Sequence, residues 1–308
     1  MAALLNRVLA KSQYWAAGAL CVVGTFPFLT NTLLLDYYQS VTQQLRDGKP
    51  EEVDPELEKL IDQVLFKVKL KPEKEALITT YTCFSHDPIF KGALSLRMGA
   101  LIGLPGSFKY NKAEDIVQEN LKVNNVPVDW TSESGKQLVN ALLLSENAKK
   151  FAIARQVFYI DSSYSHVDMA LRMLCGFGAY TLGFNLNRKL NLKSSLKRWA
   201  RGSIYSLIGS AWFLMYIVVK DIYFCYQDNN ADKKAANLSI DYAEGGVEYY
   251  TKVLNRNQSI RDLMGTEGPF YYTKFGNEVA TLRTKTVQVS TRRDNLIRLR
   301  QNYDQSKS

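Results

Sequence analysis

Metal binding and acyl transfer draw first on histidine and cysteine, and this chain of 308 residues has two histidines and four cysteines. His86 and His166 stand far apart, so no HExxH zinc helix can form, and a histidine-based triad is poorly served. Cys83-x-x-His86 has the spacing of half a metal site, but no second half follows. A strand cysteine followed by a loop histidine is the plainer reading. Gly176-x-Gly178 sits inside an apolar run rather than after a soluble strand, so it is not a dinucleotide loop, and no phosphate-binding GxxxxGK[ST] sequence is present. Cys21 and Cys175 also fall in apolar runs. No disulfide framework is expected, although a single Cys83–Cys225 bridge stays open. These residues predict neither a cofactor nor a bound metal.

The elements that would position any chemistry are dominated by three apolar stretches. Residues 14–35 carry no charge before Asp36 and are long enough to cross hydrocarbon as a helix. Residues 202–219 form a second uncharged run, with Trp199 and Tyr223 near its ends like interfacial anchors. Residues 169–187 become a third if Arg172 reaches to the interface. A buried or re-entrant helix is the other reading there.

Between the last two runs lies a loop, 188–201, holding Arg188, Lys189, Lys193, Lys197, Arg198 and Arg201 and no acidic residue. The net charge of +9 is therefore concentrated in a short loop. That disfavours nucleic-acid binding and predicts that the loop stays on the inner side of a membrane. Three spans put the basic N-terminal segment 1–13 on that same side. Segments 36–168 and 220–308 then share the other side and can build one domain. Leu4, Leu5, Val8 and Leu9 with Arg7 and Lys11 resemble a mitochondrial import signal running into the first span; a secretory signal-anchor is the alternative.

In the outer segments, Asp54-Pro55 starts a helix whose apolar stripe is Leu57, Leu60, Ile61, Val64, Leu65 and Val68. Ala76 to Phe84 reads as a strand, and Met98 to Phe108 as a buried strand entering a turn. VNNVPVDW suggests a turn or hairpin leading to Trp130, and Ser134 to Ser162 one long helix. Asp232 to Leu254 is helical by pattern, Ser259 caps a short helix ended by Gly265, Phe270 to Val289 alternates like strands, and Thr291 to Tyr303 is a terminal helix. Small residues recur one turn apart at Cys175, Ala179 and Gly183 and at Gly202, Ser206 and Ser210, which predicts close packing of the hairpin on itself or docking of a partner helix. A carrier or channel would need facing polar residues in the spans, which offer little beyond Asn31, Asn185 and Arg172.

Five ordered motifs carry a resemblance: GALIGLPGSF at 99–108, PVDW at 127–130, KFAIARQVFYIDSS at 150–163, GGVEYYTKVL at 245–254 and STRRDNL at 290–296. Together with the order of the spans they resemble the transmembrane protein 177 family over nearly the whole chain. The resemblance implies a multi-pass protein of the mitochondrial inner membrane, N-terminus in the matrix and C-terminus in the intermembrane space. It further implies a non-catalytic assembly factor that associates with newly made cytochrome c oxidase subunit II and its chaperones.

A weaker resemblance concerns the fold. HtpX-like membrane zinc peptidases run from an ALPGG-like strand to a HExxH helix, two spans, an ExxAD helix and an Arg-rich terminal segment. This chain offers GLPGS at 103–107, Arg155-Gln156-Val157-Phe158-Tyr159, two apolar runs, then Asp228, Ala231 and Asp232, and last STRRDNLIRLR. Arg155 and Tyr159 stand at the histidine positions, Gln156 at the general-base position and Asp228 at the glutamate-ligand position. The likeness implies a degenerate, zinc-free peptidase scaffold in a mixed α+β domain, with Arg155 pairing to Asp228 and a groove that binds a client instead of cutting it. An active peptidase with an unrecognised site is the alternative.

Overall fold

The structure, a computed structural model, describes residues 18, 21, 22, 24–26, 28–96, 98–119, 121–280, 283 and 285–305. The basic segment 1–13 and residues 14–17, 19, 20, 23 and 27 of the run 14–35 lie outside the described residues. The chain divides into two compact units. One holds residues 1–34 and 163–224; the other is assembled from Leu35–Ser162 and Cys225–Ser308.

In the second unit, helix α1 (Leu35–Thr42) leads through a two-residue hairpin to helix α2 (Pro55–Val68). Asp54 caps α2 by accepting the Glu56 N–H at 2.8 Å, Pro55 opens it, and Lys69 closes it in the left-handed region at φ 56°. Its stripe buries Leu57, Leu60, Ile61, Val64 and Leu65, as the spacing predicts. Three strands follow: β1 (Ile78–Cys83), β2 (Ile89–Gly92) and β3 (Ala100–Pro105). β3 lies in the middle, parallel to β1 and antiparallel to β2. All six residues of β3 are buried, which explains its unbroken apolar run. Asn124 and Asn125, at φ 52° and 62°, turn the predicted hairpin between Lys122–Val123 and Val126–Pro127.

The helix expected over 134–162 is two helices, α3 (Glu133–Leu142) and α4 (Glu146–Ile160). The break has a cause. Ser145 caps α4 through the Ala148 N–H, while its own N–H and hydroxyl donate to Glu248. α4 is buried nearly all round and forms the centre of the core, packed by α2, the sheet and the later helices. The expected helix 232–254 is likewise interrupted. One helix ends at Ala236, and α7 (Ile240–Leu263) runs straight through Ser259. Ser259 therefore caps nothing; its hydroxyl donates back to the Asn255 carbonyl inside the helix. Among the described residues, the strands expected over Phe270–Val289 do not form. Tyr272 and Glu278 make one isolated bridge, and Asn277 instead ties to Ser290 at the start of α8 (Val289–Gln305).

The first unit contains α5 (Tyr164–Lys189) and the apolar part of α6 (Arg198–Ala236). At 39 residues α6 is about 58 Å long. Among the described residues it is the one helix both long and apolar enough to cross a membrane. α5, at 26 residues, has the length but too little apolar weight for the same reading. Leu207, Phe213, Leu214, Val218 and Ile222 of α6 are exposed, a run of large apolar side chains that water does not favour.

Candidate functional site

A cleft of about 340 Å³ opens in the second unit. α4 supplies Arg155 and Gln156, the end of α6 supplies Asp228, α7 supplies Tyr249 and Tyr250, and α8 supplies Arg292. Asp87 and Pro88, just before β2, complete one wall.

Its floor is a charge network. Arg155 donates from Nη2 to Asp228 Oδ1 at 2.6 Å and from Nε to Asp232 Oδ1 at 3.0 Å. Arg292 grips Asp232 with two bonds, Nε to Oδ2 and Nη2 to Oδ1, each 2.7 Å. The Tyr250 hydroxyl donates to Asp232 Oδ1 at 2.7 Å, and the Arg292 guanidinium lies 4.5 Å from the centre of the Tyr250 ring. Burial by itself would raise the Asp232 pKa, but the Arg292 and Arg155 guanidiniums, with the bonds donated by Arg292 and Tyr250, outweigh it and hold the carboxyl below its ordinary range. Burial pushes the Tyr250 phenol well up, with Asp232 adding to the rise. Beside this floor, Arg256 of α7 clasps Asp87 with two bonds of 2.9 Å and reaches the His86 carbonyl at 2.6 Å.

The structure thus brings Arg155 and Asp228 together across 73 residues of sequence. Gln156 donates from Nε2 to the Pro88 carbonyl at 2.9 Å, while its buried Oε1 has no hydrogen-bond partner among the described residues. An amide there cannot take a proton as a carboxylate would. The Tyr159 ring packs 4.3 Å from Phe90. The residues at the ligand-like positions do not fit zinc: a guanidinium repels a cation, and among the described residues no three His, Cys, Asp or Glu side chains gather to hold one. Cys83 is buried in a small cluster with Leu35, Tyr81 and Leu101, and no disulfide joins it to Cys225. Sequence reasoning missed Tyr250 and Arg292 as partners of Asp232. Both lie in quoted motifs, but nothing local links α8 to a residue 60 positions earlier.

The hairpin residues fall differently from expectation. Cys175 is buried, and Ala179 and Gly183 are half-buried on α5. Gly202, Ser206 and Ser210, however, are exposed on α6, and a Cβ at Gly202 would meet open space. The close approach is made instead where Trp212 covers Gly178 and Tyr205 covers Gly183. Large aromatic side chains fill the gap that a matched stripe of small residues would have closed. The six basic residues sit where the sequence places them in the chain, at the end of α5, in the turn Leu192–Ser195 and at the start of α6. Arg188, Lys189, Lys193, Lys197 and Arg198 are exposed and Arg201 is half-buried.

Comparison with known proteins gives the chain a place. The family described as Transmembrane protein 177 matches residues 18–308. Proteins named Transmembrane protein 177 are similar to it in Homo sapiens (32% identity, covering 85% of this chain and 83% of the relative) and in Danio rerio (30% identity, 86% of each). A third, in Xenopus laevis, is 29% identical over 95% of this chain and 96% of its own length. No solved structure matches. A match that takes in the apolar helices and both halves of the cleft-bearing unit makes this chain a member of the transmembrane protein 177 family.

Proposed function

We propose that this protein is a non-catalytic assembly factor of the mitochondrial inner membrane that binds and stabilises newly made cytochrome c oxidase subunit II and its chaperones. The observation that carries the reading is the cleft. The two carboxylates of its floor, Asp228 and Asp232, are neutralised by guanidiniums, and among the described residues no three metal-binding side chains gather there, so the lining is suited to holding a chain. Gln156 supports binding in particular, since its unmatched Oε1 can accept an N–H from a bound peptide segment. The order of parts favours a degenerate zinc-peptidase scaffold, in which Arg155 fills the place of a metal and pairs with Asp228 and Asp232.

On this reading the chain crosses the membrane three times, through 14–35, 169–187 and 202–219. The segment 1–13 and the basic loop 188–201 face the matrix. Segments 36–168 and 220–308 face the intermembrane space, in keeping with their assembly into one compact unit. Protease added to intact mitochondria and to mitoplasts, with a tag at each end, tests the arrangement. Both outer segments should be cut only after the outer membrane opens, and a tail cut separately from 36–168 refutes it. For the partner, mitochondrial translation is pulse-labelled and the tagged full chain is captured. Labelled subunit II should be enriched over the other labelled products, and equal recovery of all of them would overturn the assignment.

A further inference from the structure

α5 and α6 hold a second cluster, unrelated to the cleft. Asp168 and Arg172 stand one turn apart on α5, and Tyr216 and Lys220 one turn apart on α6. Arg172 Nη2 pairs with Asp168 Oδ2, and Arg172 Nε donates to the Tyr216 hydroxyl at 3.0 Å. That hydroxyl donates to Asp168 Oδ1 at 3.0 Å, and Lys220 Nζ lies 3.6 Å from the same oxygen. Two cations thus share one carboxylate, leaving an excess of positive charge. The Arg172 Nη1 group is buried with no hydrogen-bond partner among the described residues.

Arg172 also lines a cavity of about 290 Å³ whose other walls include Gly24, Cys175, Ala179, Gly209 and Trp212. Cys175 and Ala179 lie one and two turns further along α5 from Arg172. Trp212 and Gly209 lie one and two turns back along α6 from Tyr216. The cavity is therefore cationic at one end and apolar over the rest, the shape of an amphiphile. A partner helix would need a groove as long as itself, whereas this space extends about two turns.

We infer that this cavity holds an acyl chain of an anionic membrane lipid, whose phosphate accepts the Arg172 Nη1 hydrogen and is drawn by Lys220. The inference rests on the reading that α5 and α6 lie in a bilayer. The phosphate satisfies the orphan donor and the excess charge together, and the acyl chain fills the apolar part of the cavity.

The full chain is reconstituted in nanodiscs of equimolar phosphatidylglycerol and phosphatidylcholine, and the lipid retained after release is counted by native mass spectrometry. One uncompensated cation predicts about five-fold enrichment of phosphatidylglycerol. Arg172→Gln should abolish that preference. Gly209→Leu should cut retention of both lipids, because Gly209 lines the cavity and a Cβ there meets nothing within 4 Å. Equal retention of the two lipids by the wild type overturns the proposal, as does undiminished retention in Gly209→Leu. Loss of the preference in excess inorganic phosphate would also overturn it, by assigning the cationic end to a free anion. Alkaline carbonate extraction of the same protein separates the premises: release from the membrane defeats the bilayer reading, whereas a retained protein without lipid preference defeats the lipid site alone.

Discussion

Asp232→Asn is the most informative single change. The carboxylate is 3% exposed and takes four hydrogen bonds, two from Arg292 and one each from Arg155 and Tyr250. Asparagine keeps the shape and one acceptor but leaves two guanidiniums facing each other with only Asp228 to balance them. Breaking a buried pair from one side costs about 3–5 kcal/mol, because the stranded charge stays out of water. In a unit of roughly 210 residues each kcal/mol moves the midpoint by about 2–4 °C, so Tm should fall by roughly 6–20 °C. Scanning calorimetry of the detergent-solubilised full chain reads this directly. Asp228→Asn, which loses the single bond to Arg155, should cost less, about 1.5–3 kcal/mol. Adding Arg292→Met to Asp232→Asn removes one stranded cation and should recover part of the loss. A midpoint for Asp232→Asn within about 2 °C of wild type, or a larger drop for Asp228→Asn, would refute the account of the network.

Three further outcomes follow from the same geometry. Because Asp232 is held below its ordinary pKa, its stabilisation is complete above the unfolded value of about 3.9 and is lost as pH falls through the lower folded value. Tm should therefore drop on acidification below about pH 4, and Asp232→Asn should shallow that drop. Gly245→Ala puts a Cβ 2.3 Å from the Asn147 carbonyl oxygen, so α7 must move off α4, costing about 1–3 kcal/mol in a thermal melt; Gly209→Ala, in open space, should cost nothing. Burial pushes the Cys83 thiol up to about 11, so iodoacetamide at pH 8 should modify it only after denaturant is added, read by peptide mass spectrometry.

What could be read from the residues was what local chemistry decides. The α2 cap and stripe, the β1 and β3 runs and the Asn124-Asn125 turn each carry their cause within a few positions. What could not be read depends on partners far along the chain. Ser145 breaks a helix because Glu248 waits 103 residues away to receive its donors. Gly245 and Gly246 look like helix breakers, but they allow α7 to press against Asn147 and Phe151 of α4 and Leu296 of α8. Alternation over Phe270–Val289 suggested strands, yet the Asn277 amide is bonded to Ser290, and among the described residues the segment makes one isolated bridge, Tyr272 with Glu278. The order Arg155 then Asp228 pointed to one ion pair of the cleft, while its strongest contact, Arg292 on Asp232, joins two elements that no local pattern connects.

The network also constrains what the cleft can recognise. Two arginines and two aspartates balance at its floor, and their mutual bonds engage the Nε and Nη2 donors of both guanidiniums. The Arg292 fork is fully engaged by Asp232, and Gln156 has committed its amide nitrogen to Pro88. Among the described residues of this floor, the Gln156 oxygen is a buried acceptor with no hydrogen-bond partner. A segment that binds here is therefore selected by its shape and by a backbone or side-chain N–H placed to meet that oxygen. Gln156→Leu keeps the side-chain bulk while removing both polar atoms. It should weaken capture of a client bound this way and leave the Arg155–Asp228–Asp232 bonds standing.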